Sequence, residues 1–222
     1  MLSQHSWAPP PTVLCFRHRH TTSTVPIRSR SKRTLHQLRG VTTAMASAFA
    51  PSSPIFRPVD PAEVPALLAI EQASYPEDEA ASLESLTLRA NDAAECFLVM
   101  TKAETPDAPV GFVCGTRTKQ DSLTHDSMST HDADGAILCI HSVVVEETQR
   151  KNGLGAAMLR AYVRFIDAQK EQSGVKEMRL LCKEHLIKFY EGGGFELIGK
   201  SDVVHGKDTW FEMRLNLLSQ QD

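Results

Sequence analysis

The chain has 222 residues, 41% of them hydrophobic and 23% charged, with a formal net charge of −3. That length supports one domain with a real core, and no apolar run approaches the roughly 20 residues that a membrane span needs. The five cysteines (Cys15, Cys96, Cys114, Cys139, Cys182) are odd in number and scattered without a CxxC pair, which argues against a disulfide framework or a zinc site and for a reducing compartment.

The charge is divided unevenly. Residues 1–59 hold seven Arg, one Lys and no acidic residue, whereas 16 basic residues face 27 acidic ones from Asp60 onward, a net of −11. Two objects are expected. Residues 1–54, rich in Arg, Ser, Thr and Pro, read as a disordered basic N-terminal extension that cannot bury a core. Their composition fits a transit peptide, a basic tail with no address, or sequence upstream of a start at Met45. A cytoplasmic protein is expected, with a mitochondrial form if the extension is an address. The basic segment lacks interleaved aromatics and the rest is acidic, so no nucleic acid partner is expected.

Residues 55–222 read as one α/β domain. "IFRPV" is a short strand. Asp60 is placed to cap a helix, with Pro61 first and Glu63 third, and Val64, Leu67, Leu68 and Glu71 follow at helical spacing. "SYPEDEAAS" breaks that helix, and "LESLTLRAND" makes a second. "CFLVM" and "PVGFVCGTRT" are strands around a turn at "AETPDA". A polar loop runs from Lys119 to Gly135. Its His125 and His131 lie near several aspartates, but turn-forming residues dominate and a solvated loop without metal is expected.

"AILCIHSVVV" is apolar on both faces, as a central strand should be. A long helix is predicted from Gly153 to Glu171, with Leu154, Met158, Leu159, Tyr162, Val163 and Ile166 as its apolar stripe. "KEMRLLC" is a strand, "EHLIKFYEGG" a short helix, and "FELIGKSDVV" with "TWFEMRLNLL" a hairpin. Early antiparallel pairs followed by a βαβ unit predict a mixed central sheet flanked by helices.

The segment "QRKNGLGAAMLRAYV" puts glycines at a helix entrance directly behind a strand. The first amides of a helix lack partners and its dipole favours an anion, while glycine lets backbone and ligand approach closely. Neither a Walker A loop nor a full dinucleotide fingerprint is present.

"R-K-N-G-L-G-A" after a strand resembles the R/Q-x-x-G-x-G/A signature of the GNAT superfamily of N-acetyltransferases. "DSLTHDSMSTHDADG", "LCIHSVVVEETQRKNGLGAAMLRAYVRFI" and "LLCKEHLIKFYEGGGFELIG" look, in that order, like its arylalkylamine (serotonin) N-acetyltransferase branch. The resemblance spans roughly Phe56 to Leu217. It implies a GNAT-like fold, acetyl-CoA as cosubstrate and no metal. The backbone of Val143, Val144 and Val145 would pair with the pantetheine arm. Arg150, Lys151, Asn152, Gly153, Leu154, Gly155 and Ala156 would form the pyrophosphate loop. Tyr190 would stand near the CoA sulfur. His141 matches the second histidine of an H-x-H pair whose first member is Cys139 here, so His141 or water around it is left to accept the amine's proton.

The implied acceptor is the primary amine of a small arylalkylamine or polyamine, and a monomer is expected. Protein lysine or N-terminal acetylation, or acyl-CoA binding without catalysis, are the alternatives on the same fold. Glu77, Asp78 and Glu79 lie where this branch keeps a mobile substrate loop. They are candidates to recruit a cation, with a solvated acidic turn as the plain alternative. Tyr75, Phe56 and Phe211 are the candidate aromatic contacts.

Overall fold

The computed structural model describes residues 53–217 apart from 122, 125, 126, 128 and 204–206. Of the predicted extension over residues 1–54, residues 1–52 lie outside the described residues, as do the readings of Met45, Cys15 and His125; Pro54 already belongs to the first strand. The elements follow the chain as β1 (Pro54–Pro58), α1 (Val64–Gln72), α2 (Leu83–Asp92), β2 (Phe97–Lys102), β3 (Thr105–Thr118) and β4 (Ile137–Val145), then α3 (Leu154–Asp167), α4 (Lys170–Ser173), β5 (Glu177–Lys183), α5 (Ile187–Glu191), β6 (Glu196–Lys200) and β7 (Trp210–Asn216).

The seven strands form one sheet in the order β1-β2-β3-β4-β5-β7-β6. Among the described strands only the β4–β5 pair is parallel, and α3 makes the crossover between them. The expected mixed sheet flanked by helices is thus observed. Asp60 caps as predicted: its side chain accepts from the Ala62 N–H, and Glu63 accepts from the Asp60 N–H. Three boundaries differ from expectation. "TPDA" is strand, not turn, because β3 starts at Thr105 and the reversal takes only Ala103 and Glu104. The long helix ends at Asp167 and a separate turn follows. Lys119–Gly135 is not merely a solvated loop: Ser127 is buried, and the His131 ring accepts from the Arg117 N–H while its other nitrogen lies 3.2 Å from Glu95.

Two cores sandwich the sheet. Met158, Leu159, Tyr162 and Ile166 of α3 pack with Tyr190 and Phe195 against Leu138, Ile140, Leu180 and Met213. On the other face Val64, Leu67 and Ile70 of α1 and Leu86 and Ala90 of α2 cover Phe97, Val99, Phe112 and Val144. Residues two apart on a strand share a face. In β4 that rule fails once. Leu138 and Ile140 join the α3-side core, but so do Val143 and Val145. The register explains it: Ser142 pairs Cys114 and Ile140 pairs Gly115, so His141 is an extra residue. This β-bulge inverts the alternation and re-aims His141. No helix among the described residues is long and apolar enough to cross a membrane.

Candidate active site

β4 and β5 pair only from Ile137–Glu177 to Ile140–Leu180, although β4 continues to Val145 and β5 to Lys183. Beyond that point they part, just where the His141 bulge bends β4. A cavity of about 490 Å³ opens in the split. Its strand walls are Ile140–Val143 and Leu180–Lys183, and the loop after α1 covers it with Tyr75 and Glu79. Parting leaves the β5-facing backbone edge of Ser142–Val145 without a strand partner inside the sheet. Backbone amides there require other partners, and an extended ligand arm can supply them.

His141 and Tyr190 both line this cavity. His141 Nε2 lies 2.7 Å from Thr116 Oγ1, and the Thr116 hydroxyl donates to the Ser127 carbonyl at 3.1 Å. A hydroxyl has one hydrogen, so the imidazole must donate from Nε2. Nδ1 is then the bare acceptor, and it is buried without a hydrogen-bond partner. Burial first, and the Arg89 charge second, hold His141 well below the usual imidazole range. The ring is therefore neutral at neutral pH, with its lone pair available. Tyr190, on α5, sits edge-on to Phe189 and Phe195 with ring centroids 5.0 and 6.0 Å away. Burial, then the neighbouring Tyr75 and Cys182, push its hydroxyl well above 10, so it keeps its proton.

Of the predicted strand segment, Val143 lines the cavity, Val144 is buried in the α1-side core, and Val145 packs toward α3. At the helix entrance Gly153 caps α3 with φ 76°, a left-handed conformation natural to glycine. No side chain caps the first amides of α3, and a Cβ on Gly153 would meet nothing within 4 Å. Leu154 and Ala156 form that first turn, and Lys151, itself at φ 64°, and Asn152 are exposed before it. Arg150 donates to the Val145 carbonyl at 2.8 Å and to Ser74 Oγ at 2.7 Å, stapling the loop to β4 and to the end of α1. A Cβ on Gly155 would make only ordinary contact with Phe189, at 3.5 Å.

The acidic triplet divides. Glu77 and Asp78 are exposed and do not line the cavity, whereas Glu79 does. Glu79 accepts from Lys183 Nζ at 2.8 Å, and Asp208 holds the same ammonium at 2.8 Å. Lys183 also stands 5.5 Å over the Trp210 ring. Tyr75 lines the cavity beside the Val143 backbone amide. Phe56 and Phe211 do not line it; both pack against the α3-side core. Trp210, one residue before Phe211, takes the cavity position. Consecutive strand residues face opposite ways, so a one-residue error exchanges site for core.

Other residues were not foreseen. Glu71 and Arg89 are 1% and 7% exposed, and both line the cavity. Glu71 Oε1 accepts from the Ala81 N–H and from Ser142 Oγ, each at 3.0 Å. The available signal was a charged residue inside the apolar stripe of α1. Cys182 also lines the cavity, while Cys139 is buried in a small cluster with Leu123 and Ile137, as a core residue should be. Among the described residues no group of three or more His, Cys, Asp and Glu is placed to hold a metal ion.

The chain is 30% identical over 108 residues to the serotonin N-acetyltransferase of Mesocricetus auratus, which covers 49% of this chain and 51% of that protein. The Homo sapiens serotonin N-acetyltransferase is 27% identical over the same length and shares. The chain thus matches about half the length of these curated relatives. In fold it is similar to the loading GNATL domain of CurA from Lyngbya majuscula, with a TM-score of 0.64 at 13% identity over 74% of this chain and 98% of that one. It is also similar to the putative acetyltransferase yncA from Salmonella typhimurium with acetyl-CoA, with a TM-score of 0.53 at 17% identity over 77% and 98%. The sequence model of the acetyltransferase (GNAT) family matches residues 64–195, more than half of the chain, across α1, the β4–β5 split and the glycine-bearing entrance to α3, and the chain belongs to that family.

Proposed function

We propose that the protein transfers an acetyl group from acetyl-CoA to the primary amine of a small arylalkylamine or polyamine. The observation that carries this reading is the shared cavity. Two residues that can accept and donate a proton, His141 through Nδ1 and Tyr190 through its hydroxyl, line the same cavity where β4 and β5 part. The half-length relatives named serotonin N-acetyltransferase support the amine. A module that only bound an acyl-CoA would need neither His141 nor Tyr190 beside the open strand edge.

Acetyl-CoA supplies the thioester acetyl group. The chain fits it in two places: the uncapped amides of α3 suit a pyrophosphate, and the unpaired β4 edge suits an amide-bearing arm. An alkylammonium, with a pKa near that of lysine at about 10.4, must lose a proton before it attacks. His141 Nδ1 offers the lone pair that meets that proton. N–H groups on the parted β4 edge can stabilise negative charge on the carbonyl oxygen; Tyr190 donates its proton to the departing sulfur, and the second proton that the nitrogen sheds as the amide forms restores the tyrosine hydroxyl.

The acceptor's charge meets Glu79, which already holds Lys183. Glu79→Gln is expected to raise KM for spermidine several-fold more than for tryptamine, because a polycation gains more from the carboxylate. Neutralising Glu77 and Asp78 should change both far less, since their charges are exposed to solvent and do not line the cavity. Steady-state kinetics with both amines reads this directly. Equal changes in KM would remove Glu79 from amine recognition.

A further inference from the structure

The cavity contains a carboxylate that the preceding steps leave unused. Glu71 is 1% exposed, and only one of its oxygens is engaged: Oε1 takes both the Ala81 and Ser142 bonds, while Oε2 is buried with no hydrogen-bond partner. An unsatisfied buried carboxylate oxygen is costly. The nearest remedy by charge would be Arg89, itself 7% exposed, but no Glu71–Arg89 ion pair forms; Arg89 donates to Cys114 Sγ at 3.8 Å. Glu71 and Arg89 both line the cavity with His141 and Ser142. Oε2 itself has almost no exposed surface, so the donor that would satisfy it must come from the cavity that Glu71 lines.

We propose that Glu71 Oε2 is the final acceptor of the amine's proton, so that Glu71 is a catalytic residue beside His141 and Tyr190. The inference rests on the acetyl-transfer reading and adds the destination of the proton. The ammonium N–H bond breaks, its electron pair stays on nitrogen, and an O–H bond forms at Glu71. Charge decides between the two unpartnered acceptors. A proton left on His141 would place an imidazolium near the Arg89 guanidinium in a buried site. The same proton on Glu71 cancels an ammonium against a carboxylate and leaves no new charge. Coulomb energy at low effective dielectric makes that difference large.

The surroundings of Glu71 point the same way. Arg89 approaches from α2, Ser142 and His141 from β4, Cys114 from β3, and Tyr75 with Glu79 from the covering loop. Burial is the largest influence and raises Glu71 above the usual carboxylate range; the Ala81 N–H, Ser142 and Arg89 pull it partly back. A raised carboxyl is a better proton acceptor than an ordinary one, yet is ionised once the pH exceeds its own value.

The test compares phenethylamine with β,β-difluorophenethylamine, which has nearly the same shape and a far more acidic ammonium. In Glu71→Gln, kcat/KM for phenethylamine at neutral pH should fall at least about tenfold, toward the hundredfold or more typical of a general base. The fluorinated amine, of which a far larger share is already uncharged at neutral pH, should lose far less, and alkaline buffer should shrink the phenethylamine deficit. Because both amines are read on one preparation, a reduced folded fraction cancels in the ratio. Ser142→Ala keeps the carboxylate but removes a bond that favours its ionised form, so the acidic limb of the wild-type rate should move to higher pH. Equal losses for both amines, or an unmoved limb in Ser142→Ala, would overturn the role of Glu71. A wild-type chain that acetylated neither amine would instead overturn the acetyl-transfer reading on which it rests.

Discussion

Tyr190→Phe is expected to lower kcat by about tenfold or more while acetyl-CoA affinity changes little, a loss of at least about 1.4 kcal/mol confined to the transition state. Its ring sits between Phe189 and Phe195 in edge-on contacts that a phenylalanine keeps. The lost group is the hydroxyl. Because burial holds that hydroxyl well above 10, it is a proton donor throughout the neutral range, and the deficit should persist from neutral to mildly alkaline pH. Stopped-flow turnover alongside calorimetric titration of acetyl-CoA separates the two quantities. Wild-type turnover in the variant would take Tyr190 out of the chemistry.

Gly153→Asp is expected to weaken acetyl-CoA binding by about tenfold or more and to lower the melting temperature only modestly, the cost of a side chain at left-handed φ. Aspartate tolerates left-handed backbone better than most residues, and a negative side chain at a helix N-terminus is favourable by about 0.3–1 kcal/mol. The space a Cβ would enter is open. The free protein therefore accepts the substitution, while an incoming pyrophosphate meets a carboxylate at the amides it needs. Opposite demands on one position make the outcome specific. Full affinity with an intact fold would show that the α3 entrance does not hold the anion. Gly155→Val is a poorer probe, because its side chain would press on Phe189 and disturb the neighbour of Tyr190.

Local chemistry explains what the sequence made legible. The Asp60 cap, the bounds of α2 and the stripe of α3 depend on neighbours within a turn or two, and all three appear in the structure. Residue type alone marked only the Gly153 entrance, as glycines behind a strand; His141 and Tyr190 were named through the family resemblance, and both line the β4–β5 cavity. What escaped depends on distant pairing. No periodicity says where two parallel strands stop pairing, so the split beyond Ile140 and Leu180 was invisible, as was the bulge that inverts β4. Glu71 meets Ser142 across 71 residues of chain, and its burial follows from α1 packing on β4. A face error of one residue put Phe211 in place of Trp210. The acidic triplet looked uniform, yet only Glu79 finds a partner in Lys183, 104 residues away.

The central claim is acetyl transfer to a small amine in the β4–β5 split. Its most direct test is release of CoA from acetyl-CoA by the full chain, measured in parallel with tryptamine, phenethylamine, spermidine and a lysine peptide. Turnover is expected with at least one of the three small amines, at a kcat/KM about tenfold or more above that of the peptide, and should fall about tenfold or more in Tyr190→Phe. No release with any small amine, or release with the peptide alone, would contradict that claim.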